Sequence, residues 1–141
     1  MIAIDTNVLL RYQLNDNKAQ AAKAEKLING KEIVLLTDVV LVETIWTLTK
    51  GKKHQLNKAD LAMVIQALFK EPNIRFENAQ VVWTALIAYR KAKSIGGKAA
   101  DFSDALIVSK AKLIASDESV EFCGVYTFDI AVQQLPGTKV L

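Results

Sequence analysis

The sequence has few of the residues that form disulfides and soft-metal sites. Its 141 residues include one cysteine, Cys123, and one histidine, His54. A single cysteine excludes a disulfide within the chain, and one Cys with one His is too few ligands for a zinc site. This cysteine content is typical of a reducing cytosol, so we expect a cytoplasmic protein. Any metal that it binds must be held by oxygen atoms.

Long apolar runs are also missing. None approaches the roughly 20 residues that a membrane span needs, and Asp5 interrupts the apolar N-terminus before it resembles a secretion signal. We therefore expect no membrane association. With only 6 Gly and 2 Pro and a hydrophobic content of 51%, the composition predicts one compact domain over residues 1–141.

Neither sign of charge dominates. The chain has 18 Lys and Arg against 15 Asp and Glu, a net charge of +3. This balance says little about partners by itself. If several of the acids were gathered in one pocket, however, the remaining surface would be distinctly basic and suited to a phosphate backbone.

The first ten residues contain the most informative pattern. An apolar run from Met1 to Ile4 ends at Asp5, and polar Thr6 and Asn7 then open a helical pattern. Such an Asp lies at the carboxyl end of a buried strand, which is the edge where open α/β sheets bind ligands. Asp is also a favoured helix N-cap, so the pattern permits either a structural or a functional role for Asp5.

Short apolar strands alternate with amphipathic helices along the rest of the chain. This alternation predicts an α/β fold with a mostly parallel central sheet flanked by helices. The expected helices are 8–14, 18–28, 37–50, 57–69, 78–92 and 102–115; the expected strands are 1–4, 33–36, 74–76, 124–128 and an edge strand at 138–141. Residues 116–119 are predicted to be a loop before the last central strand.

Glu43 has apolar neighbours on its predicted helix. Val39 lies one turn before it and Trp46 one turn after it. Such a carboxylate is either a surface residue at the edge of a core face or a buried acid with a partner or a metal, and we favour the buried acid. Trp46 and Trp83 are both predicted to be core residues.

Three further acids lie at helix starts or strand ends. Asp101 and Asp104 are one turn apart at the start of the 102–115 helix, and Asp129 ends a strand as Asp5 does. The pair at 101 and 104 has an alternative explanation, because acids in a first turn suit the helix dipole and can form a capping box.

Parallel strands place their carboxyl ends at one edge, so Asp5 and Asp129 are expected to face the same crevice, to which helices could present Glu43 and Asp104. Carboxylates held close together repel one another unless a cation lies between them. Oxygen ligands without His or Cys select Mg²⁺ or Mn²⁺, a choice that suits phosphoryl chemistry.

Four segments together resemble the PIN-domain family, and most closely its VapC-type ribonuclease toxins. The segments are Asp5–Tyr12, the helix around Glu43, Ala100–Ile107 and Val125–Asp129. The resemblance covers nearly the whole chain in the right order. It implies a Mg²⁺- or Mn²⁺-dependent endoribonuclease in which water attacks the RNA phosphorus.

The resemblance also implies roles for individual residues. Asp5, Glu43, Asp104 and Asp129 would be the catalytic and metal-binding acids. Thr6 or Asn7, together with Thr127, would orient the carboxylates or a water molecule, and Asp101 would be an additional supporting acid. Toxins of this kind usually form homodimers and are silenced by a cognate VapB-like antitoxin.

Several basic residues are candidate RNA phosphate contacts: Arg11, Lys50, Lys52, Lys53 and Lys98. For each of them alone, a solvated surface role is the simpler explanation. His54, in a basic turn, is assigned no chemistry.

Two other functions are compatible with parts of the sequence. A haloacid-dehalogenase-type phosphatase also begins with a strand followed by Asp-x-Asp-x-Thr, but here Asn7 and Leu9 stand at the second and third of these positions, so the acid/base partner is missing. The other alternative is a non-catalytic PIN-like module that binds RNA or protein. The full set of acids argues against it, because grouping four carboxylates without a cation costs stability.

Overall fold

The computed structural model describes residues 1–141, which form six α-helices, five β-strands and one 3₁₀ helix. The chain divides into two compact units, Met1–Glu77 and Asn78–Leu141. The first contains β1 (Ile2–Ala3), α1 (Thr6–Leu14), α2 (Lys18–Ile28), β2 (Val34–Leu36), α3 (Asp38–Lys50), α4 (Lys58–Lys70) and β3 (Ile74–Phe76). The second contains α5 (Ala79–Lys91), α6 (Phe102–Asp117), β4 (Val125–Thr127), the 3₁₀ helix Ile130–Gln134 and β5 (Thr138–Val140).

The first unit is built on a three-stranded parallel sheet in the order β1-β2-β3. Ile2 pairs with Val34, and Val34 pairs with Ile74. The central strand β2 places Val34 and Leu36 fully inside, as expected for a parallel strand whose two faces are covered by helices. The confirmed α/β architecture thus follows from these short apolar runs.

Polar side chains fix where the helices of the first unit begin. Each helix has an N-cap side chain that accepts a backbone N–H of the first turn, and these residues are Asp5, Asn17, Thr37 and Asn57. Such caps satisfy N–H groups that a helix start would otherwise leave unpaired. Because Asp5 is one of them, the boundary between β1 and α1 is set at that carboxylate.

The second unit packs α5 against α6 and adds a two-stranded parallel ladder, β4-β5. Phe102 is fully buried and meets Tyr89 edge to face, with ring centroids 6.1 Å apart. Between the two helices, Ile95 and Lys98 bridge a tight turn, in which Gly96 and Gly97 have φ of 58° and 78°. Glycine suits this turn because other residues are strained at positive φ.

Two expectations about local structure are wrong. α6 continues to Asp117, so Ser116 and Asp117 are helical and not part of a loop. Trp46 and Trp83 are 61% and 44% exposed and are not core residues. The core side of α3 consists of Leu41, Thr44, Ile45 and Leu48, which turns Trp46 toward solvent.

None of the six helices has both the length and the apolar character that crossing a membrane requires.

Candidate active site

Asp5 lies at the carboxyl end of β1 and caps α1. Its Oδ1 accepts a 2.9 Å hydrogen bond from the backbone N–H of Val8, and the side chain is exposed. The capping role predicted as an alternative is therefore present. It engages one carboxylate oxygen, so the same side chain also suits a ligand role through Oδ2.

Thr6, the first residue of α1, connects this strand end to α3. Its hydroxyl donates a 2.5 Å hydrogen bond to Oε2 of Glu43. Within the first unit, the carboxylate of Glu43 is therefore bound to the residue that directly follows Asp5, although Thr6 and Glu43 are 37 positions apart in sequence.

Glu43 is exposed, so the expectation of a buried acid is wrong. The physical reason is the orientation of α3, since Val39 and Trp46, one turn to either side of Glu43, are themselves exposed at 67% and 61%. Glu43 is thus oriented by a hydrogen bond at the surface rather than by burial. A carboxylate in this setting avoids the large desolvation cost of a buried charge.

A pocket of about 310 Å³ opens beside Asp5, between α1 and α2, and we call it the α1–α2 pocket. It is lined by Asp5, Asn7, Val8, Arg11, Gln20, Lys23, Ala24 and Leu27. Arg11 is already engaged there: its Nε donates to Gln20, and its Nη1 binds both carboxylate oxygens of Asp16, at 2.8 and 2.7 Å. This guanidinium lowers the pKa of Asp16.

A second cleft of about 200 Å³ lies between α1 and the end of α3, and we call it the α1–α3 cleft. It is lined by Asn7, Leu10, Arg11, Leu14, Asp16, Thr47, Gly51, Lys52, Lys53 and His54. Since Arg11 neutralises Asp16, the exposed Lys52 and Lys53 give this cleft its positive charge. Asn7 lines both cavities, so the cleft starts two residues from Asp5.

In the second unit, Asp101 and Asp104 form the capping box of α6. The backbone N–H of Asp101 donates to Oδ2 of Asp104 at 2.8 Å, so the alternative explanation for this pair is confirmed. Asp101 is exposed, whereas Asp104 is half-buried. Burial raises the pKa of Tyr89, and the negative charge of Asp101 adds to that effect.

Asp129 follows β4 and is held by its neighbours. Its backbone N–H donates to the hydroxyl of Thr127 at 3.0 Å, and its Oδ1 accepts from Ala131 N at 2.9 Å. The exposed carboxylate thus caps the 3₁₀ helix. Lys98, the remaining basic candidate, is exposed in the 95–98 turn.

Neither unit contains a group of three or more His, Cys, Asp or Glu side chains placed to hold a metal ion. Each unit supplies two of the four predicted acids: Asp5 and Glu43 in the first, Asp104 and Asp129 in the second. All four are hard oxygen donors, the chemistry that Mg²⁺ and Mn²⁺ prefer. The donor set therefore fits such a cation.

The sequence reasoning missed some residues beside these acids. Gln20 and Lys23 line the α1–α2 pocket together with Asp5, and His54 lines the α1–α3 cleft. The exposure of Trp46 was also missed. The spacing of Val39, Glu43, Trp46 and Lys50 would have shown it, because these positions share one helix face opposite Leu41, Ile45 and Leu48.

The sequence matches the model of a known protein family. The PIN domain model matches residues 2–133, which span both units. No curated protein matches the chain. PIN domains are generally nucleases, so the match indicates a nuclease-type function and, with it, binding to RNA. The chain belongs to the PIN domain family.

Proposed function

We propose that the protein is a Mg²⁺- or Mn²⁺-dependent endoribonuclease that hydrolyses RNA phosphodiester bonds. The observation that supports this most directly is the hydrogen bond from Thr6 to Glu43 beside Asp5. It orients the Glu43 carboxylate at the residue that follows Asp5, at the carboxyl end of a parallel strand, the edge at which α/β folds bind ligands. The PIN domain match over residues 2–133 supports a nuclease-type reaction.

In this proposal the cation is held by Asp5, Glu43, Asp104 and Asp129. When bound, it would make water a better nucleophile and neutralise charge on the phosphate. The chain's own residues do the rest. Thr6 fixes the orientation of Glu43, Thr127 positions the backbone of Asp129, and Asp101 adds negative charge beside Asp104.

We further propose that this nuclease is the toxin of a toxin–antitoxin pair. The support is the resemblance of the four motifs, in their order along the sequence, to VapC-type toxins. This proposal includes a homodimer, a cognate VapB-like antitoxin that silences it and a cytoplasmic location. Expression of the chain in a bacterial host should then arrest growth, and the Asp5→Asn variant should not; equal growth with both proteins would overturn the toxin role.

The nuclease proposal is tested by incubating the purified chain with a labelled RNA pool in Mg²⁺ or Mn²⁺ and, separately, in EDTA. We expect cleavage only with the metal, and loss of cleavage in Asp5→Asn and Asp104→Asn. Asp117→Asn is the matched control, because it removes an exposed acid at the far end of α6. Full cleavage by Asp5→Asn would contradict the assignment.

A second candidate is a non-catalytic PIN-like module that binds RNA or protein. One observation favours it: Asp5, Asp104 and Asp129 all have hydrogen-bonding roles at helix starts, which account for these acids without a metal. The same experiment separates the two functions. Absence of cleavage with either metal, from folded protein free of a bound partner, would select the binding module.

A further inference from the structure

The exposed face of α3 carries an aromatic ring, Trp46, between an acidic residue, Glu43, and a basic residue, Lys50. Val39, Glu43, Trp46 and Lys50 are all exposed and follow one another along that face. From the helical rise, Trp46 lies about 4.5 Å along the axis from Glu43 and about 6 Å from Lys50. A proposed metal ligand and a lysine therefore flank a tryptophan ring that is 61% open to solvent.

This face is close in sequence to the positive α1–α3 cleft. Thr47, the residue after Trp46, lines that cleft, and the chain then continues through Gly51 into Lys52 and Lys53. At its other end the cleft reaches Asn7, two residues from Asp5. Trp46 itself does not line the cleft, but it is one residue from Thr47 in sequence and one helical turn before Lys50, after which the basic segment begins.

We propose that Trp46 is a stacking platform for one unpaired base of the RNA substrate, with Lys52 and Lys53 contacting the adjoining phosphates. Aromatic rings beside basic grooves are the usual way in which proteins hold single-stranded nucleic acid, because every base has a π face. A base paired within a duplex cannot reach such a ring. The inference rests on the proposed ribonuclease function and deepens it by naming the side chain that would hold a base of the substrate.

A second copy of this chain is the rival occupant of the face. Two of the four exposed residues, Glu43 and Lys50, are charged, whereas the centres of protein–protein interfaces are depleted of Glu and Lys. The apolar part is also narrow, since Val39 lies about 10 Å along the helix from Trp46. The positive charge of Lys50 suits the phosphate of a nucleotide, whereas the charges of Glu43 and Lys50 do not suit an apolar partner.

The test measures binding rather than cleavage. In the Trp83→Phe background, Trp46 is the only tryptophan, so its fluorescence reports on this face alone. The probe is a single-stranded oligoadenylate of about 10 nucleotides, within the usual range of single-strand site sizes. It is added in EDTA and compared with its duplex with oligouridylate. We expect quenching by the single strand and little by the duplex.

Variants then measure how much the ring contributes. Trp46→Ala should weaken binding of the single strand by about 5- to 150-fold, and Trp46→Phe should retain most of the affinity because it keeps an aromatic face. Met63→Ala is the matched control, since Met63 on α4 is also 61% exposed. Unchanged affinity in folded Trp46→Ala, or equal binding of single strand and duplex, would overturn the proposal.

Oligomeric state is measured on the same samples by light scattering. If Trp46→Ala converts a dimer to a monomer and affinity follows that change, the face is an interface between copies and the stacking proposal fails. RNA binding is measured in EDTA, where no metal-dependent cleavage occurs. The binding result is therefore independent of the result of the nuclease test. If the chain does not cleave RNA but single strands still quench the fluorescence of Trp46, the stacking proposal stands and the nuclease proposal fails.

Discussion

Thr6 donates a 2.5 Å hydrogen bond to Glu43 and is at the same time the first residue of α1, directly after Asp5. The start of one helix is thereby attached to the middle of another. When a hydroxyl orients a carboxylate that binds a metal, removing that hydroxyl typically lowers metal affinity or activity by about 10- to 100-fold.

Thr6→Val should therefore lower metal-dependent RNA cleavage by about 10- to 100-fold, because it removes the hydroxyl and keeps the shape of the side chain. Thr6→Ser retains the hydroxyl and should stay close to wild type. The measurement is the cleavage rate over a Mg²⁺ titration, with folding checked by circular dichroism. Equal rates for the Val and Ser variants would show that this bond does not orient a catalytic group.

Lys52→Ala and Lys53→Ala should each reduce the salt dependence of single-stranded RNA binding. Removing one phosphate contact lowers the slope of log affinity against log salt by about 0.7 for a single strand. Lys31→Ala, an exposed lysine between α2 and β2, is the control and should leave the slope unchanged. Identical slopes in all three variants would remove the α1–α3 cleft from the RNA path.

Tyr12→Phe should destabilise the protein by about 1 kcal/mol, because Tyr12 donates a 2.7 Å hydrogen bond to Glu71 in a partly buried place. Burial, followed by this bond, raises the pKa of Tyr12 from 10.0 to about 12. The tyrosine therefore contributes stability that is fully present below pH 10 and is lost as the pH rises toward 12.

Urea unfolding of wild type and Tyr12→Phe at a series of pH values checks this dependence. The gap in unfolding free energy between them should be constant up to about pH 10 and should narrow above it. A gap that grows with pH would have the wrong sign for a raised tyrosine pKa.

Thr44→Val should stabilise the protein. The side chain of Thr44 is 1% exposed, and its Oγ1 has no hydrogen-bond partner. Replacing a buried, unpaired hydroxyl with a methyl group of the same shape should raise the unfolding free energy by about 1 kcal/mol. Calorimetry should then show a Tm higher by about 4 °C.

Thr49→Val is the matched control for that change. Thr49 lies on the same helix, but its hydroxyl donates to the carbonyl of Ile45 at 2.9 Å. Thr49→Val removes this hydrogen bond, so no increase in Tm is expected. A similar increase in Tm in both variants would mean that the added methyl group stabilises the helix whether or not the lost hydroxyl was hydrogen-bonded.

Gly51→Ala should destabilise the end of α3 by about 1–3 kcal/mol. A Cβ at Gly51 would lie in contact with the carbonyl oxygen of Thr47, closer than real Cβ atoms approach backbone atoms. Thermal unfolding measures the loss, with Lys52→Ala at the next, exposed position as the control. An unchanged Tm in Gly51→Ala would mean that the backbone there shifts at little cost.

The sequence predicts the elements well where a chemical signal marks their ends. The N-caps Asn57 and Asn78 begin α4 and α5 close to the expected positions. The end of α6 was misplaced because Ser116-Asp117-Glu118-Ser119 has a loop-like composition, while the backbone stays helical through Asp117. Composition alone does not show whether such polar residues form the solvent-facing end of a helix.

A position at a strand end or helix start predicts Asp5, Asp101, Asp104 and Asp129 as candidate site residues, and apolar neighbours on its helix predict Glu43. That rule found Asp5, but it could not show that Thr6 binds Glu43 across 37 positions. The expectation of a buried Glu43 is wrong because it rests on Val39 and Trp46 alone, whereas the pattern of the whole helix places these residues opposite Leu41, Ile45 and Leu48. In α3 the core face is set by Leu41 and Leu48, and Trp46 is left outside.

The register of the first sheet has a consequence for the order of folding. Ile2 pairs with Val34, and Val34 with Ile74, so each ladder joins segments that lie far apart in the chain. Closing these two long loops costs chain entropy, and this cost comes before the hydrogen bonds between the strands can offset it. The helices can form from local contacts first, and the strand edge that carries Asp5 should be completed late, when β1 docks on β2.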